Sequence, residues 1–255
     1  MTDRLDRELV RRGLARSRSH AQALINAGQI VVDGSVVERP GERVPASAAI
    51  HGPDDRYVSR AAHKLIGALD DLQLTVAGRA LDAGASTGGF TQVLLARGCQ
   101  EVFAVDVGND QLVPALRADP RLRLRERTNL RDLRLDDVGG VAVDLVVADV
   151  SFISLRLLVG PLVSVTRDDG WLLLLVKPQF EVGRELLGKG GVVRAPAHQV
   201  QAVSGVINAA AEYGWYAIAA VPSRLRGASG NREFFVLLER TESPPHLDLA
   251  ALVKT

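Results

Sequence analysis

ALDAGASTGGF, residues 80–90, is a short apolar run that breaks into a glycine turn and then opens a helical pattern. A strand, a turn built on Gly84, Gly88 and Gly89, and a helix let backbone approach a nucleotide closely. The spacing is G-x-x-x-G-G rather than G-x-G-x-x-G, and Asp82 stands directly before it. A second acid, Asp106, ends the next expected strand 24 positions later, where a carboxylate can accept from two ribose hydroxyls. An acid ahead of the glycines repels a pyrophosphate but suits a ligand with an ammonium and a sulfonium. The turn therefore reads as a site for S-adenosyl-L-methionine in preference to NAD. Its candidate residues are Asp82, Gly84, Ser86, Gly88, Gly89, Phe90 and Asp106, joined by Asn129 and Asp149 further along.

Outward from this turn, apolar runs alternate with helical patterns. Strands are expected at 80–83, 102–106, 122–126, 144–148, 170–176, 215–222 and 233–239. Helices are expected at 60–72, 88–97, 109–118, 154–165 and 197–213. This order predicts an α/β fold, a mostly parallel sheet covered on both faces with an antiparallel edge strand, and joined to a turn read for S-adenosyl-L-methionine it becomes a Rossmann-like methyltransferase sheet. Only residues 223–232 join the last two strands, which predicts an antiparallel pair at one edge. In domain terms, a small α+β domain spans 1–52, a linker 53–60, the α/β domain 61–242 and a tail 243–255.

Four charged residues sit in distinctive strings: Lys64 in VSRAAHKL, Asp149 in ADVSF, Lys177 in LVKPQFE and Glu233 in GNREFF. Asp149 and Lys177 each follow an apolar strand, at the edge where parallel α/β sheets bind ligands. Glu233 opens the last strand, and Lys64 lies off the apolar stripe of its helix. Taken singly, each reads first as a surface charge at the end of an element. Together, two lysines and two carboxylates form an alternating network that would leave one lysine able to take a proton from a hydroxyl. A rival lies in the same turn, because Gly84-Ala85-Ser86-Thr87-Gly88 also spells the G-x-S-x-G elbow of serine hydrolases. That reading needs a downstream histidine, supplied only by His198 or His246, and an elbow after a central strand, whereas this turn follows the first strand of its domain. A non-catalytic RNA-binding protein is the other alternative, and it leaves the four charged residues unexplained.

The first 52 residues read as two short helices and a hairpin whose Asp33-Gly34 turn favours the primed types. Arg11, Arg12, Arg16 and Arg18, with His20, crowd the turn and the start of the second helix, a good setting for phosphate. The net charge of +1 hides an uneven spread: residues 1–20 carry +3, 61–182 carry −3 and 183–232 carry +4. Basic ends around a mildly acidic middle suit a polyanion. Arg60, Arg184, Lys189, Arg194, Arg224 and Arg226 extend the candidate RNA surface, and the glycine-rich stretch 183–194 reads as a mobile loop. A single cysteine, Cys99, excludes an internal disulfide and a cysteine-rich metal site. The charged start lacks a secretory signal, and the longest strongly apolar run, 171–176, is far too short to cross a membrane. A cytoplasmic protein without a metal is expected, with oligomeric state left open.

Two resemblances follow from these strings. RLDRELVRRGLARSRSHAQALINAGQIVVDGSVV (4–37) is similar to the αL RNA-binding module of a small-subunit ribosomal protein and of pseudouridine synthases. YVSRAAHKL, LDAGASTGGFT, AVDVG, ADVSFISL, LVKPQFE and GNREFF resemble, in order, the haemolysin-A-like (TlyA) family of rRNA 2′-O-methyltransferases, whose catalytic domain is FtsJ-like. That resemblance implies a Lys-Asp-Lys-Glu tetrad at Lys64, Asp149, Lys177 and Glu233. It also implies S-adenosyl-L-methionine near Asp82, Gly84 and Asp106, and a cytidine ribose in ribosomal RNA or ribosomal subunits as substrate. Gln92 departs from the aspartate expected in many relatives.

Overall fold

A computed structural model of the chain describes residues 2–15, 17–52 and 57–254. It divides into two compact units, Met1–Val58 and Ser59–Thr255.

In the first unit, strand β1 (Thr2–Arg4) leads into helix α1 (Leu5–Arg11), and helix α2 (Arg18–Asn26) follows. Ser17 caps α2 by accepting from the His20 amide at 3.2 Å. Strands β2 (Val31–Val32) and β3 (Ser35–Val36) form the expected hairpin. Asp33 and Gly34 both take positive φ, 49° and 85°, which is the requirement of a type I′ turn. Three strands, β1 and two more, were not legible beforehand. β4 (Arg43–Pro45) pairs with β1, and β5 (Ile50–His51) pairs with β2. Leu5, Leu9, Ala21, Ile25 and Ile30 are fully buried between the helices and these ribbons.

The second unit opens with helix α3 (Arg60–Asp71), then strand β6 (Arg79–Ala83), helix α4 (Gly89–Ala96) and strand β7 (Glu101–Val105). It continues with α5 (Pro114–Arg117), β8 (Leu122–Arg125), β9 (Val143–Ala148), α6 (Val159–Ser164) and β10 (Thr166–Val176). Last come α7 (Pro178–Glu181), α8 (Pro196–Ala211), β11 (Tyr216–Pro222), β12 (Phe234–Glu239) and α9 (Leu249–Leu252). Seven strands form one sheet in the order β11-β12-β10-β9-β6-β7-β8. β6 to β10 pair in parallel, and β12 runs against both β10 and β11. The last two strands are thus an antiparallel pair closing one edge, but the reversed strand is the inner one and β11 is the edge itself.

Both faces of the sheet are covered, so its central strands read as unbroken apolar runs such as Leu172 to Val176. Leu172, Leu174, Phe234 and Val236 pack with α6 and α8 in one core, while Phe235 stacks on Phe90 of α4 with centroids 6.2 Å apart. The expected helix at 109–118 is only the four-residue α5, because Pro114 starts it and Ala118 caps it at once. The expected helix at 154–165 is a 3₁₀ turn (Leu155–Leu157) followed by α6.

Candidate active site

The sheet register gathers the charged residues at one edge. Ala83 pairs with Ala148, so Gly84 and Asp149 leave adjacent strands side by side. A Cβ on Gly84 would stand 2.8 Å from the Asp149 carbonyl oxygen, and Gly84 has φ +88°, so only glycine fits this approach. Lys177 follows Val176, whose partner across the sheet is Phe234, and Glu233 precedes Phe234. Glu233 therefore begins β12 at the same edge where β9 and β10 end.

Two short ion pairs result. Lys64 Nζ lies 2.6 Å from Glu233 Oε2, with side chains 10% and 3% exposed. Lys177 Nζ lies 2.5 Å from Asp149 Oδ1, with side chains 10% and 14% exposed. Lys177 also donates to Ser151 Oγ at 2.9 Å and faces the Phe180 ring, 6.0 Å from its centroid. Lys64 is buried although it lies off the apolar stripe of α3, because Glu233 neutralises it there.

Beside Asp149 opens a cavity of about 600 Å³, lined by Gly84, Ser86, Asp106, Asn129 and Asp149 of the predicted residues. That size falls in the ordinary range for a cofactor cleft. Sequence reasoning missed several of its walls: Val107, Gln111, Leu130 and the run Val150, Ser151, Phe152 and Ile153. Phe152, four positions beyond the end of β9, is 92% exposed with φ +64°. Asp106 accepts from the Ser86 amide at 2.8 Å and the Gly108 amide at 2.7 Å, one on each carboxylate oxygen. Each oxygen keeps a second acceptor direction for a hydroxyl.

Asp82, Gly88, Gly89 and Phe90 do not line this cavity. Asp82 is fully buried, accepts from Thr91 Oγ1 at 2.6 Å, and leaves its other oxygen without a protein partner. Burial pushes its carboxyl up to about 7, against the Thr91 hydrogen bond and with Asp149 and Asp106 adding to the rise. Gly88, at φ +100°, packs under Leu112 and Leu116, Gly89 packs against Ser59, and Phe90 belongs to the core. Ser86 has φ +47°, but its hydroxyl contacts Gln111 Oε1 at 3.1 Å instead of a histidine, which removes the hydrolase reading. The position of the turn was no argument against that reading. β6 is first in sequence yet internal in the sheet, because a doubly wound sheet starts from its middle.

The candidate RNA residues divide by how their guanidiniums are held. Arg12 bonds Glu8 at 2.6 Å and the carbonyls of Ala46 and Ala48 at 2.8 and 2.7 Å, so it braces the small unit. Arg11 pairs with Glu8, and Arg18 with the buried Asp6 at 2.9 Å while staying half exposed. Hydrogen bonds from Arg11 and Arg12 hold Glu8 down to about 2, and those from Arg4, Gln22 and Arg18 hold Asp6 far below the usual range. The arginine turn is thus partly neutralised by Glu8, one helical turn away, and by Asp6, which reaches Arg18 from α1. His20 is half-buried at the start of α2. Arg16 lies outside the described residues.

In the larger unit, Arg184, Lys189 and Arg194 are exposed. Their loop is anchored at one end, since Asn231 bonds the Val193 amide at 2.9 Å and the Gly191 carbonyl at 3.0 Å. Arg224 is clamped on Asp71 at 2.6 Å, while Arg60 and Arg226 are exposed and donate to the carbonyls of Arg226 and Gly230 respectively.

The arrangement fits S-adenosylmethionine. The glycine cradle and the ribose-competent Asp106 supply what the nucleoside part of that cofactor requires, while Asp82 lies buried behind the turn and out of the cavity. Comparison with known proteins agrees. The FtsJ-like methyltransferase family matches residues 57–240, and the S4 domain matches residues 3–50. The 16S/23S rRNA (cytidine-2′-O)-methyltransferase TlyA of Mycobacterium tuberculosis is 49% identical over 98% of this chain and 94% of its own. Hemolysin A of Brachyspira hyodysenteriae is 34% identical over 91% of this chain and 97% of its own. A solved structure from Streptococcus thermophilus, also carrying the hemolysin name, is 36% identical with a TM-score of 0.77, covering 99% of this chain and 94% of its own. The chain belongs to the TlyA-like family of rRNA 2′-O-methyltransferases, an FtsJ-like, S-adenosylmethionine-dependent catalytic domain preceded by an S4 domain.

Proposed function

We propose that this chain methylates the 2′-hydroxyl of a cytidine ribose in ribosomal RNA. The observation that carries the reading is the pairing of Lys177 with Asp149, a residue of the cavity wall, and of Lys64 with Glu233 at the same sheet edge. When bound, S-adenosylmethionine supplies a methyl group already activated on a sulfonium. The cavity is positioned to hold it through Gly84, Ser86, Asp106 and Asn129, with Asp82 buried behind the turn. In its neutral amine form Lys177 takes or shares the 2′-hydroxyl proton, becoming the ammonium that pairs with Asp149, while Asp149 and Ser151 fix its Nζ. Lys64 and Glu233 orient the nucleoside and balance charge around that pair. Positioning supplies much of the rate, because the methyl donor needs no further activation. Phe152, exposed on the cavity wall, offers an aromatic face to the target base. Arg18 of the S4 domain, with Arg184, Lys189, Arg194, Arg60 and Arg226 of the larger unit, offers cations to phosphate.

The test is label transfer from methyl-labelled S-adenosylmethionine to separated ribosomal subunits that lack the modification, beside Lys177→Ala. Label at one nucleotide that then resists alkaline cleavage, and is lost in Lys177→Ala, is the expected result. Near-normal turnover by Lys177→Ala would overturn the proton role, and unlabelled subunits would overturn the substrate.

A further inference from the structure

Glu181 lies outside the Lys-Asp-Lys-Glu set, yet it is among the most thoroughly buried carboxylates of the larger unit. Its side chain is 2% exposed. It ends the one-turn helix α7, four residues after Lys177. Oε1 accepts from the Leu155 amide at 2.7 Å, and Oε2 accepts from the Ser154 hydroxyl at 2.5 Å. Arg156, half exposed, stands 3.8 Å away. Both strong partners lie at the far end of the run that starts at Asp149 and forms one wall of the cavity.

That run is held at its near end by the sheet, where the Asp149 amide bonds the Ala83 carbonyl at 3.1 Å. Between its ends it meets the 177–181 segment twice more, through Ser151 with Lys177 and through Phe152 with Phe180, ring centroids 5.2 Å apart. Phe152 holds φ +64°, a left-handed conformation that is strained for a non-glycine residue and persists only where its surroundings fix it. Glu181 supplies the fixed point at the far end.

We propose that Glu181 is a positioning residue that locks the cavity wall from Val150 to Ile153 to the segment carrying Lys177, so that cofactor site and proton acceptor share one frame. The inference rests on the methyl-transfer reading for its kinetic consequence but not for its structural one. Removing the side chain frees the Leu155 amide and the Ser154 hydroxyl. The run then relaxes toward an unstrained Phe152, and Ser151 no longer holds Lys177.

The test compares Glu181→Ala, Glu181→Gln and Ser154→Ala in the full chain, well below each melting temperature. Three quantities are read: hydrogen exchange at the Leu155 and Phe152 amides, S-adenosylmethionine affinity by calorimetry, and kcat and KM on ribosomal subunits. Glu181→Ala is expected to speed exchange at both amides, weaken cofactor binding about tenfold, and lower kcat between about ten- and a hundredfold with little change in KM for RNA. Glu181→Gln keeps an acceptor for Leu155, and the Ser154 hydroxyl can turn to accept, so it should stay within about threefold of wild type. Ser154→Ala should fall between. Glu181→Ala with wild-type exchange and affinity overturns the proposal, as does Glu181→Gln behaving like Glu181→Ala, or losses that merely track the unfolded fraction. If the wild type binds cofactor but methylates no ribosomal RNA, the substrate reading falls, while exchange and affinity still decide the role of Glu181.

Discussion

The Lys64–Glu233 pair shows why this site is costly to break and why stability and activity can be separated in it. Both side chains are nearly inaccessible, so each depends on the other for neutralisation. Lys64→Met alone leaves Glu233 charged and buried, and should destabilise the protein by about 3–5 kcal/mol. Lys64→Met combined with Glu233→Met removes both charges and should recover most of that loss in urea denaturation, while methyl transfer stays absent. A double variant as unstable as the single one would mean that the pair itself stabilises the fold. Asp82 makes a second, pH-linked case. Its folded carboxyl titrates near 7, above the ordinary 3.8, so the folded state holds a proton that the unfolded state has released. Stability from this group is therefore present at low pH and lost as pH rises between about 4 and 7, by at most a few kcal/mol. Asp82→Asn keeps an oxygen for Thr91 and should flatten the denaturation midpoint between about pH 4 and 7. An unchanged slope would place Asp82 in a more polar setting than its burial indicates.

Among the elements, the β6–turn–α4 unit carries two glycines with different duties. A methyl at Gly84 would press on the Asp149 carbonyl inside the cavity rim, whereas one at Gly88 would meet Leu112 and Leu116 in the packing beneath. Gly84→Ala should weaken S-adenosylmethionine binding at least tenfold by calorimetry and also lower stability. Gly88→Ala should lower stability by about 1–3 kcal/mol through overpacking and strain, with binding close to normal in the folded fraction. Equal binding loss in both would show that the whole turn moves as one piece. This contrast also marks what the sequence made legible. Apolar runs such as 172–176 announced buried parallel strands, and the charges just after them announced the ligand edge. The glycine string did not reveal which glycine faces the ligand, because that depends on α5 and the loop after β7 folding over it. Phe152 and Glu181 stayed hidden for a similar reason. Neither breaks a periodic pattern, and each acquires its role only when 149–155 meets 177–181. The strands β4 and β5 are too short to carry an alternating signal, and their pairing partners are remote in sequence.

At the scale of the whole molecule, charge is less segregated than the arginine-rich start implies. Residues 1–58 hold nine Lys/Arg and eight Asp/Glu, so the small unit is nearly neutral. Asp6 and Glu8 absorb much of the guanidinium charge of Arg4, Arg11, Arg12 and Arg18. RNA binding by this unit must then rest on a few exposed cations in a fixed arrangement, not on bulk attraction. Arg18 is the best placed of the described ones, half exposed and aimed by Asp6. Arg18→Gln should weaken RNA binding at low salt and reduce the slope of log affinity against log salt by about one. A chain of residues 59–255 keeps every group that lines the cofactor cavity, so it should bind S-adenosylmethionine as the full chain does. It should also lose most affinity for ribosomal subunits, with a shallower salt slope than Arg18→Gln. If this shorter chain binds subunits with the full slope, the phosphate contacts belong to Arg184, Lys189, Arg194 and their neighbours, and the S4 domain has another task. If it fails to bind cofactor while remaining folded by circular dichroism, the small unit shapes the cavity in a way that its lining residues do not express.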